Sequence, residues 1–306
     1  MSHPIVSAII VTYNSSGYLR GVLESLTDQV SEPRLEIIVV DNGSADDSCE
    51  IVASGYPGVR LVRMGKNVGF GIGCNEGAKL AGGDFLLFVN SDVILHGNPL
   101  PAILEEFGKH GDIGIIGCQL RNPDGTRQPS GFRRPGLFMR LLQLSGFKKM
   151  ILGIRPSIRA TDGAWTEADF VSGAFMIISR RFFVDLGGFD ERYFMYLEDA
   201  DLCYRSGLRG KKTLIYGTDA VIHHGRHYEV LENPFVFYHS NRGQIIFYKK
   251  FFSPWKWYTL SAMSLFFYSF SFVWSQIVRP PAEARDALRK TIALYRENMF
   301  SRSLPS

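Results

Sequence analysis

A short apolar run at residues 85–89 constrains the fold of this chain more than any other feature. It reads Phe-Leu-Leu-Phe-Val and ends at Asn90-Ser91-Asp92. Such runs are typical of strands buried on both faces, which occur in parallel sheets covered by helices. Ligands bind at the carboxyl edge of these sheets, so Asp92 is a candidate binding residue. The alternative is an ordinary turn in which Asn90 and Asp92 bond to their own backbone.

In the first 95 residues, predicted strands alternate with predicted helices. Apolar runs predict three further strands, at residues 6–12, 35–40 and 59–63. Helical spacing follows each of them, and this order predicts a parallel sheet with right-handed crossovers. The first two runs end in polar turns, at Thr12 and at Asp41. Ser44 is expected to cap the second helix.

A glycine-rich segment, Asn67-Val-Gly69-Phe-Gly71-Ile-Gly73, follows the third of these strands. A dinucleotide-binding fingerprint would instead lie between the first strand and the first helix. A hydride-transferring Rossmann enzyme is therefore disfavoured. The glycines are expected to let a helix N-terminus come close to a phosphate or to a packed backbone.

The middle of the chain is less regular. Its predicted elements are strands at residues 113–117 and 169–178, an apolar helix at 137–147, and a helix from 182 that ends at Gly187-Gly188. Residues 128–165 are otherwise predicted to form a basic loop.

The densest chemical stretch covers residues 189–205, where five acids fall within twelve positions among aromatic side chains. A helix is predicted from Glu198, with Leu202 facing the core. Acids at a helix N-terminus are stabilised by the helix dipole, which is the structural alternative. That alternative accounts for one acid but not for the aromatic neighbours. Desolvation by those neighbours would raise the pKa of a carboxylate towards that of a general base.

Histidines follow the last predicted strand of this region, at His223, His224 and His227. A lone histidine is usually structural. Several of them at a strand end, in a chain that also has Asp92 at a strand end, form a candidate metal or phosphate site.

The composition excludes several broad classes. With 45% hydrophobic residues, the 306-residue chain can form a core and is not disordered. A net charge of +4 is too small to indicate nucleic-acid binding. Four cysteines without a CxxC pair predict reduced packing residues in a cytosolic compartment. The N-terminal residues predict no signal peptide.

The C-terminal part contains an uncharged run at residues 257–278, which is long enough to span a bilayer. Polar residues recur on one helical face of this run, at Ser261, Ser264, Tyr268, Ser271 and Ser275. Basic residues flank the run on both sides, which is typical of a helix that lies in an anionic interface. We therefore expect a peripheral or monotopic anchor rather than a span. The alternative is a helix packed on the protein's own core.

In this order the motifs resemble those of the inverting family 2 glycosyltransferases, most closely the rhamnosyltransferase-like members that act on lipid-linked glycans. The resemblance covers residues 4–240 and rests on Val11-Thr-Tyr-Asn14, Val40-Asp-Asn-Gly-Ser44, Asn67-Val-Gly-Phe, Asn90-Ser-Asp92, Gly173-Ala-Phe-Met176, Gly188-Phe-Asp190, the stretch from Phe194 to Leu202, and Val221-Ile-His223. It implies a GT-A fold, an α/β architecture with a mostly parallel central sheet flanked by helices. The implied parts are a nucleotide-sugar-binding half at 1–125, an acceptor and catalytic half at 126–240, and a helical membrane-associating segment at 241–306.

The resemblance also implies roles for single residues. The donor would be held by Thr12, Tyr13, Asp41, Asn67, Gly69, Asn90 and Ser91. Asp92 would bridge Mg²⁺ or Mn²⁺ to the diphosphate, although Asn90 replaces the first acid of the family's DXD motif. His223 would complete the metal shell, with His224 as the alternative. Asp199 would be the catalytic base, and Glu198 would support it.

The implied reaction is a single displacement with inversion. It needs a base for the acceptor hydroxyl and a cation for the departing diphosphate. The expected donor is dTDP-L-rhamnose, and the expected acceptor is a lipid-linked glycan of cell-surface polysaccharide synthesis at the cytoplasmic face of the cell membrane. The alternatives are a UDP-hexose or UDP-galactofuranose donor, or a non-catalytic nucleotide-binding membrane scaffold, which would have no use for Asp199.

Overall fold

The computed structural model describes residues 6–31, 33–134, 157–225, 233–278 and 281–301. The chain forms two compact units. The sheet unit takes its residues from 1–133, 156–191 and 199–225, and the helical unit from 134–155, 192–198 and 226–306. The predicted helix at 137–147 and His227 lie outside the described residues. The predicted domain boundaries at residues 125 and 240 stay a prediction.

The sheet unit is built around one large sheet and two small ones. The strands of the large sheet are β1 (Val6–Thr12), β2 (Leu35–Asp41), β3 (Arg60–Arg63), β4 (Phe85–Asn90), β6 (Ile113–Cys118), β9 (Trp165–Ala168), β11 (Phe175–Ser179) and β12 (Lys212–Tyr216). The short strands are β5 (Val93–Leu95), β7 (Gly131–Phe132), β8 (Ser157–Ile158), β10 (Phe170–Val171) and β13 (Val221–His223). In space the large sheet has the order β3-β2-β1-β4-β11-β6-β12-β9.

Most pairs of neighbouring strands in this sheet are parallel. β1 pairs in parallel with both β2 and β4, β2 pairs with β3, and β6 pairs with β12. β11 is antiparallel to both of its neighbours, and β9 is antiparallel to β12. The predicted mostly parallel sheet is therefore confirmed. Because β1, β2 and β4 run in the same direction, their carboxyl ends meet at one edge.

Helices cover the sheet, and side chains pack from both of its faces. In the sheet unit they are α1 (Ser16–Gln29), α2 (Ser48–Gly55), α3 (Phe70–Leu80), α4 (Leu100–Lys109), α5 (Arg180–Asp185) and α6 (Glu198–Leu208), whose first residue belongs to the helical unit. Successive residues of β4 point into two separate core clusters: Leu87 and Val89 into one, and Leu86 and Phe88 into the other. The apolar run at 85–89 is thus buried on both faces, as its sequence predicts.

The helical unit contains α7 (Pro234–Phe251), α8 (Pro254–Val278) and α9 (Ala282–Met299). Asn241 on α7 joins the three helices, because its Oδ1 accepts hydrogen bonds from the Tyr268 hydroxyl at 2.7 Å and from the Tyr295 hydroxyl at 3.4 Å. Within the described ranges, no helix is both long and apolar enough to cross a membrane.

α8 buries four of the five residues of its polar stripe, whereas the fifth, Ser271, is exposed. Ser261 and Ser264 are 0% exposed, whereas Phe266 and Phe270 are 68% and 64% exposed. Small side chains let helices approach each other closely, as they do between helices in membranes. Trp257 and Leu260 are also buried, so α8 packs within its unit through a mixed face while several of its aromatic side chains are exposed.

Some local predictions are wrong. Ser44 does not cap α2, which begins at Ser48; its Oγ instead accepts a hydrogen bond from the Asn14 N–H at 2.9 Å. The single strand predicted at 169–178 is two strands, β10 and β11, because residues 172–174 turn away from the sheet to make other contacts. The predicted loop at 128–165 contains the short strands β7 and β8. The structure describes all four cysteines, and none of them forms a disulfide.

Candidate active site

Polar residues end three adjacent parallel strands of the sheet. Thr12 is the register partner of Asp41, and Val11 is the partner of Asn90. Thr12 is buried, and its hydroxyl has no hydrogen-bond partner among the described residues. A buried hydroxyl without a partner is costly unless a ligand satisfies it. The edge is therefore built to receive a polar group.

The turn after β2 holds the Asp41 carboxylate in place. Its oxygens accept hydrogen bonds from the backbone N–H of Gly43 at 3.1 Å and of Ser44 at 3.2 Å. Gly43 has φ +78°, and a Cβ there would lie 2.7 Å from Cα of Lys66. Only glycine fits this position, so the turn and the carboxylate are fixed together.

Asn14 ties the turn after β1 to the turn after β2. Its N–H donates to Ser44, and its Oδ1 accepts from the Ala45 N–H at 2.8 Å. Its φ of 50° is in the left-handed region that asparagine tolerates. Tyr13, beside it, is half-exposed at the edge of the sheet.

The glycine-rich segment brings α3 against the sheet. Asn67 Oδ1 accepts from the Gly69 N–H at 3.0 Å, and the Gly69 carbonyl accepts from the buried Asn42 amide at 3.0 Å. A Cβ at Gly73 would lie 2.9 Å from the Val11 side chain. Gly73 therefore lets α3 pack closely on a side chain of β1, whereas the predicted close approach was to a phosphate or to a packed backbone.

Asp92 and His223 face each other beyond β4. His223 Nε2 lies 3.2 Å from Asp92 Oδ1 and 3.4 Å from the Asn90 amide nitrogen. His223 Nδ1 lies 2.9 Å from Oε1 of the buried Gln128. The Gln128 amide nitrogen donates to Asn122 Oδ1 and to the His223 carbonyl, which assigns its oxygen to the imidazole.

This network fixes the tautomer of His223. Because Gln128 Oε1 can only accept, the proton of a neutral His223 lies on Nδ1, and its Nε2 lone pair points at Asp92. The Nε2 lone pair and a carboxylate oxygen then face each other, an arrangement that either a bound metal cation or a proton on Nε2 makes favourable. Within the described ranges, no group of three or more His, Cys, Asp or Glu side chains could hold a metal ion by itself.

His224 has a different environment from that of His223. Its backbone N–H donates to the Asp92 carbonyl at 2.9 Å, and its ring lies 5.8 Å from the ring of Tyr18. Of the two histidines, His223 is therefore the one with a ring nitrogen next to the Asp92 carboxylate. Ser91 Oγ donates to Ser15 Oγ at 3.0 Å, which links the end of β4 to the start of α1.

Asp199 lies near the start of α6 and contacts the break between β10 and β11. Its carboxylate accepts from the Gly173 N–H at 3.0 Å and from the Ala200 N–H at 2.7 Å. Burial raises the pKa of the Asp199 carboxyl, and these backbone hydrogen bonds oppose that effect. Ala174, next to Gly173, accepts from the Asn90 N–H at 3.0 Å. Two consecutive residues thus connect the end of β4 to Asp199.

The residues before α6 are strained. Tyr196 and Leu197 both have positive φ, at 71° and 72°. In the helical unit the Tyr196 carbonyl lies against α7, where a Cβ on Gly243 would come within 2.5 Å of its oxygen. Consecutive left-handed residues of this kind cost free energy and cluster at functional sites. Glu198, which follows them, is buried.

Sequence reasoning missed Gln128, Asn42 and Gly173. Gln128 and Asn42 belong to types that are usually exposed, and only their burial distinguishes them. Gly173 acts through its backbone N–H, which no residue type reveals. The glycine inside the predicted strand was the one available signal, since such a glycine often marks a close approach of the backbone.

Comparison with known proteins identifies the family. The sequence model described as Glycosyl transferase family 2 matches residues 7–187, which is more than half of the chain. The chain belongs to this family, and it is a glycosyltransferase with a GT-A fold.

Two similar proteins are rhamnosyltransferases. The chain is 29% identical to the N-acetylglucosaminyl-diphospho-decaprenol L-rhamnosyltransferase of Mycobacterium tuberculosis, over 73% of this chain and 77% of that protein. It is 28% identical to the rhamnosyltransferase WbbL of Escherichia coli, over 73% of this chain and 84% of that protein.

Solved structures share the fold. The mannosyltransferase PcManGT from Pyrobaculum calidifontis, in complex with GDP-Man and Mn²⁺, has a TM-score of 0.57 at 16% identity and covers 98% of this chain and 84% of its own. S. aureus TarS has a TM-score of 0.56 at 20% identity, and the match covers 97% of this chain but only 50% of TarS.

Proposed function

We propose that this glycosyltransferase moves L-rhamnose from dTDP-L-rhamnose to a hydroxyl of a lipid-linked glycan, with inversion at the transferred carbon. The observation that carries the proposal is the similarity to rhamnosyltransferases from two bacteria along most of the chain. By its name, one of these acts on a glycan joined through a diphosphate to decaprenol. The corresponding process is the synthesis of a cell-surface polysaccharide.

Asp199 is the proposed catalytic base. It is supported by the raised pKa of its carboxyl, by the two N–H donors that fix its orientation and by its connection through residues 173–174 to the end of β4. A general base works best when its pKa approaches the working pH. Glu198 has the supporting role.

Asp92 and His223 are the proposed protein ligands of a divalent cation. They are supported by the two acceptor atoms that face each other 3.2 Å apart and by the hydrogen bond that Gln128 accepts from the opposite nitrogen. A bound Mg²⁺ or Mn²⁺ supplies Lewis-acid stabilisation of the departing diphosphate. Such ions commonly keep water and substrate phosphates among their ligands, so two protein ligands suffice.

The edge formed by β1, β2 and β4 is the proposed donor site. Asp41 uses part of its acceptor capacity on Gly43 and Ser44, and a carboxylate with about four acceptor positions keeps room for the imide N–H of a pyrimidine. Thr12 offers a hydroxyl without a partner among the described residues, and Tyr13 offers an exposed ring. Asn67, Gly69, Asn90 and Ser91 complete the proposed set.

The enzyme acts at the cytoplasmic face of the cell membrane as a peripheral protein in this proposal. The outer face of α8 supports it, because exposed aromatic side chains there accompany an exposed Lys256 and no acidic residue. Apolar and basic residues together favour an anionic lipid interface. A lipid-linked acceptor is confined to that same surface.

Thermal-shift measurements on the full chain test the donor. With Mn²⁺ present, dTDP-L-rhamnose is expected to raise Tm more than UDP-sugars at equal concentration, because stabilisation grows with ligand concentration over Kd. The competing donor to include is UDP-N-acetylglucosamine, since a TarS structure contains it. An Asp41→Ala variant should lose the shift. A larger shift and faster turnover with a UDP-sugar would overturn the rhamnose assignment.

A further inference from the structure

A cavity of about 280 Å³ lies within the helical unit, near the N-termini of α7 and α9 and the second half of α8. It is lined mainly by apolar and aromatic side chains, among them Phe237, Tyr268, Trp274 and Leu288. Its volume is at the lower end of the roughly 300–1,000 Å³ of small-molecule pockets. Such a cavity has room for one segment of hydrocarbon chain, not for two.

The walls of this cavity are held in position without a ligand. The Tyr268 hydroxyl donates to Asn241 Oδ1, and the Asn241 amide donates to the Phe237 carbonyl at 2.8 Å. The rings of Phe237 and Tyr268 are packed edge to face, with centroids 5.5 Å apart. Ser271 and Trp274 line the cavity and are both exposed on α8.

Among the described residues that line this mainly apolar cavity, Arg285 is the one with a cationic side chain. The Nε atom of Arg285 is buried, and it has no hydrogen-bond partner among the residues that the structure describes. Two acids of α9 are close to Arg285 in sequence, Glu283 in the first turn and Asp286, and neither is part of the lining. Asp286 is paired with Arg289 at 3.0 Å and with Lys290 at 2.7 Å. A buried guanidinium donor needs an acceptor, and a phosphate matches its geometry.

The helix ends add to this positive potential. Pro234 is in the first turn of α7, and Ala284 and Arg285 are in the first turn of α9, so the N-termini of two long helices border the cavity. Helix N-termini favour anions. The cavity therefore combines apolar walls with a preference for negative charge.

We infer that this cavity binds a single-chain isoprenoid phosphate, with the chain against Phe237, Trp274 and Leu288 and the phosphate on Arg285. The identification of this lipid as the carrier of the acceptor glycan rests on the proposed function. The inferred affinity for an apolar chain with a phosphate does not rest on the proposed function, because it is argued from the residues that line the cavity. Trp274, which lines the cavity, lies one helical turn from the exposed Phe270 on α8, so the cavity adjoins the exposed aromatic face of this helix.

Calorimetric titration of the full chain with farnesyl phosphate tests the inference directly. Wild type is expected to bind farnesyl phosphate more tightly than farnesol. Arg285→Gln should weaken farnesyl phosphate roughly ten- to hundredfold, the effect of removing a hydrogen bond to a charged group, with little change for farnesol. Ser271→Phe adds a ring at an exposed wall position and should weaken both probes.

Arg289→Gln is the matched control, because Arg289 is one turn along α9 and exposed. It should leave the binding of farnesyl phosphate unchanged. The inference is overturned if wild type does not bind farnesyl phosphate, if farnesol binds equally well, or if both arginine variants weaken binding equally. Inorganic phosphate that competes fully at the same concentration would identify a free-phosphate site instead.

Two further measurements identify the source of the lipid and test the proposed function independently of the lipid site. Tetradecyl phosphate that binds as tightly as farnesyl phosphate would make a bulk membrane lipid the occupant and reject the isoprenoid assignment. With lipid-linked acceptor, Arg285→Gln should raise the KM of the acceptor and leave the KM of the donor unchanged. If no rhamnosyl transfer is detected at all, the proposed function fails while the calorimetry still decides the lipid site.

Discussion

The Nε2 atom of His223 lies 3.2 Å from Oδ1 of Asp92, and Gln128 accepts a hydrogen bond from the other ring nitrogen. The arrangement leaves a lone pair and a carboxylate oxygen directed at one point. In the proposed cation site, the imidazole would supply the second ligand atom in a chain that has Asn90 in place of an acid.

Gln128→Leu should weaken Mn²⁺ binding about ten- to hundredfold, because losing the partner that orients a ligating histidine typically has that effect. Binding is to be measured by titration with Mn²⁺ in the presence of a nucleoside diphosphate. His224→Gln is the control and should stay close to wild type, since its ring does not face Asp92. Full turnover in EDTA, or a His224 variant that loses Mn²⁺ as strongly as the Gln128 variant, would contradict the assignment.

Asp199→Asn should lower kcat by roughly a hundred- to ten-thousandfold, the usual contribution of a general base. Donor binding should stay within a few-fold, because the base acts on the acceptor. The same substitution should raise Tm at neutral pH, since it removes a charge whose burial is unfavourable. Normal turnover by this variant would refute Asp199 as the base.

The raised pKa of Asp199 also has consequences for pH dependence. Only the ionised carboxylate can accept the proton, so kcat should fall as pH drops through a pKa above the ordinary value of 3.8. The contribution of Asp199 to the free energy of unfolding changes with pH in the opposite direction to kcat. The folded protein holds this proton more tightly than the unfolded chain, so the contribution is largest at low pH and is lost as pH rises through the folded pKa. Comparing wild type and Asp199→Asn across pH isolates both effects.

Gly243→Ala should disturb the strained turn at Tyr196 and Leu197, because the new Cβ would come within 2.5 Å of the Tyr196 carbonyl oxygen. We expect a loss of stability of about 1–3 kcal/mol, the range for overpacking, and a lower kcat. Gly207→Ala is the matched control: it is also in a helix, and its added Cβ would meet nothing within 4 Å. Chemical denaturation and steady-state kinetics on both variants provide the comparison, and equal behaviour of the two would reject the role of the turn.

Replacing Phe266 and Phe270 together by Gln should reduce binding to anionic vesicles by roughly tenfold or more, given about 1.5–3 kcal/mol for each large apolar side chain that is fully buried. Co-sedimentation with vesicles measures this. The control replaces Val184 and Leu208, which are 67% and 66% exposed in the sheet unit, by Gln. If the control variant loses vesicle binding to the same degree, the outer face of α8 is not the docking surface.

The sequence was most informative where local pattern and tertiary structure agree. The strands in the first 95 residues could be predicted, because a short, fully apolar run such as 85–89 is typical of a strand buried on both faces of a sheet. The break between β10 and β11 was not, since it depends on Gly173 meeting Asp199, a residue 26 positions away. The same holds for Gln128, which contacts His223 at a separation of 95 residues. Ser44 was misassigned because a serine before a helix can bond either to the helix or, as here, to a neighbouring turn.

The outward aromatic face of α8 has a consequence for how the isolated enzyme behaves. Phe266, Phe270, Val273 and Trp274 are all more than half exposed and follow one another along the helix. In dilute buffer the least costly way to remove such a surface from water is to pair it with the same surface of another copy. Mild detergent should therefore dissociate such pairs, so that the mass of the protein part of the complex, after subtraction of bound detergent, falls to that of one chain.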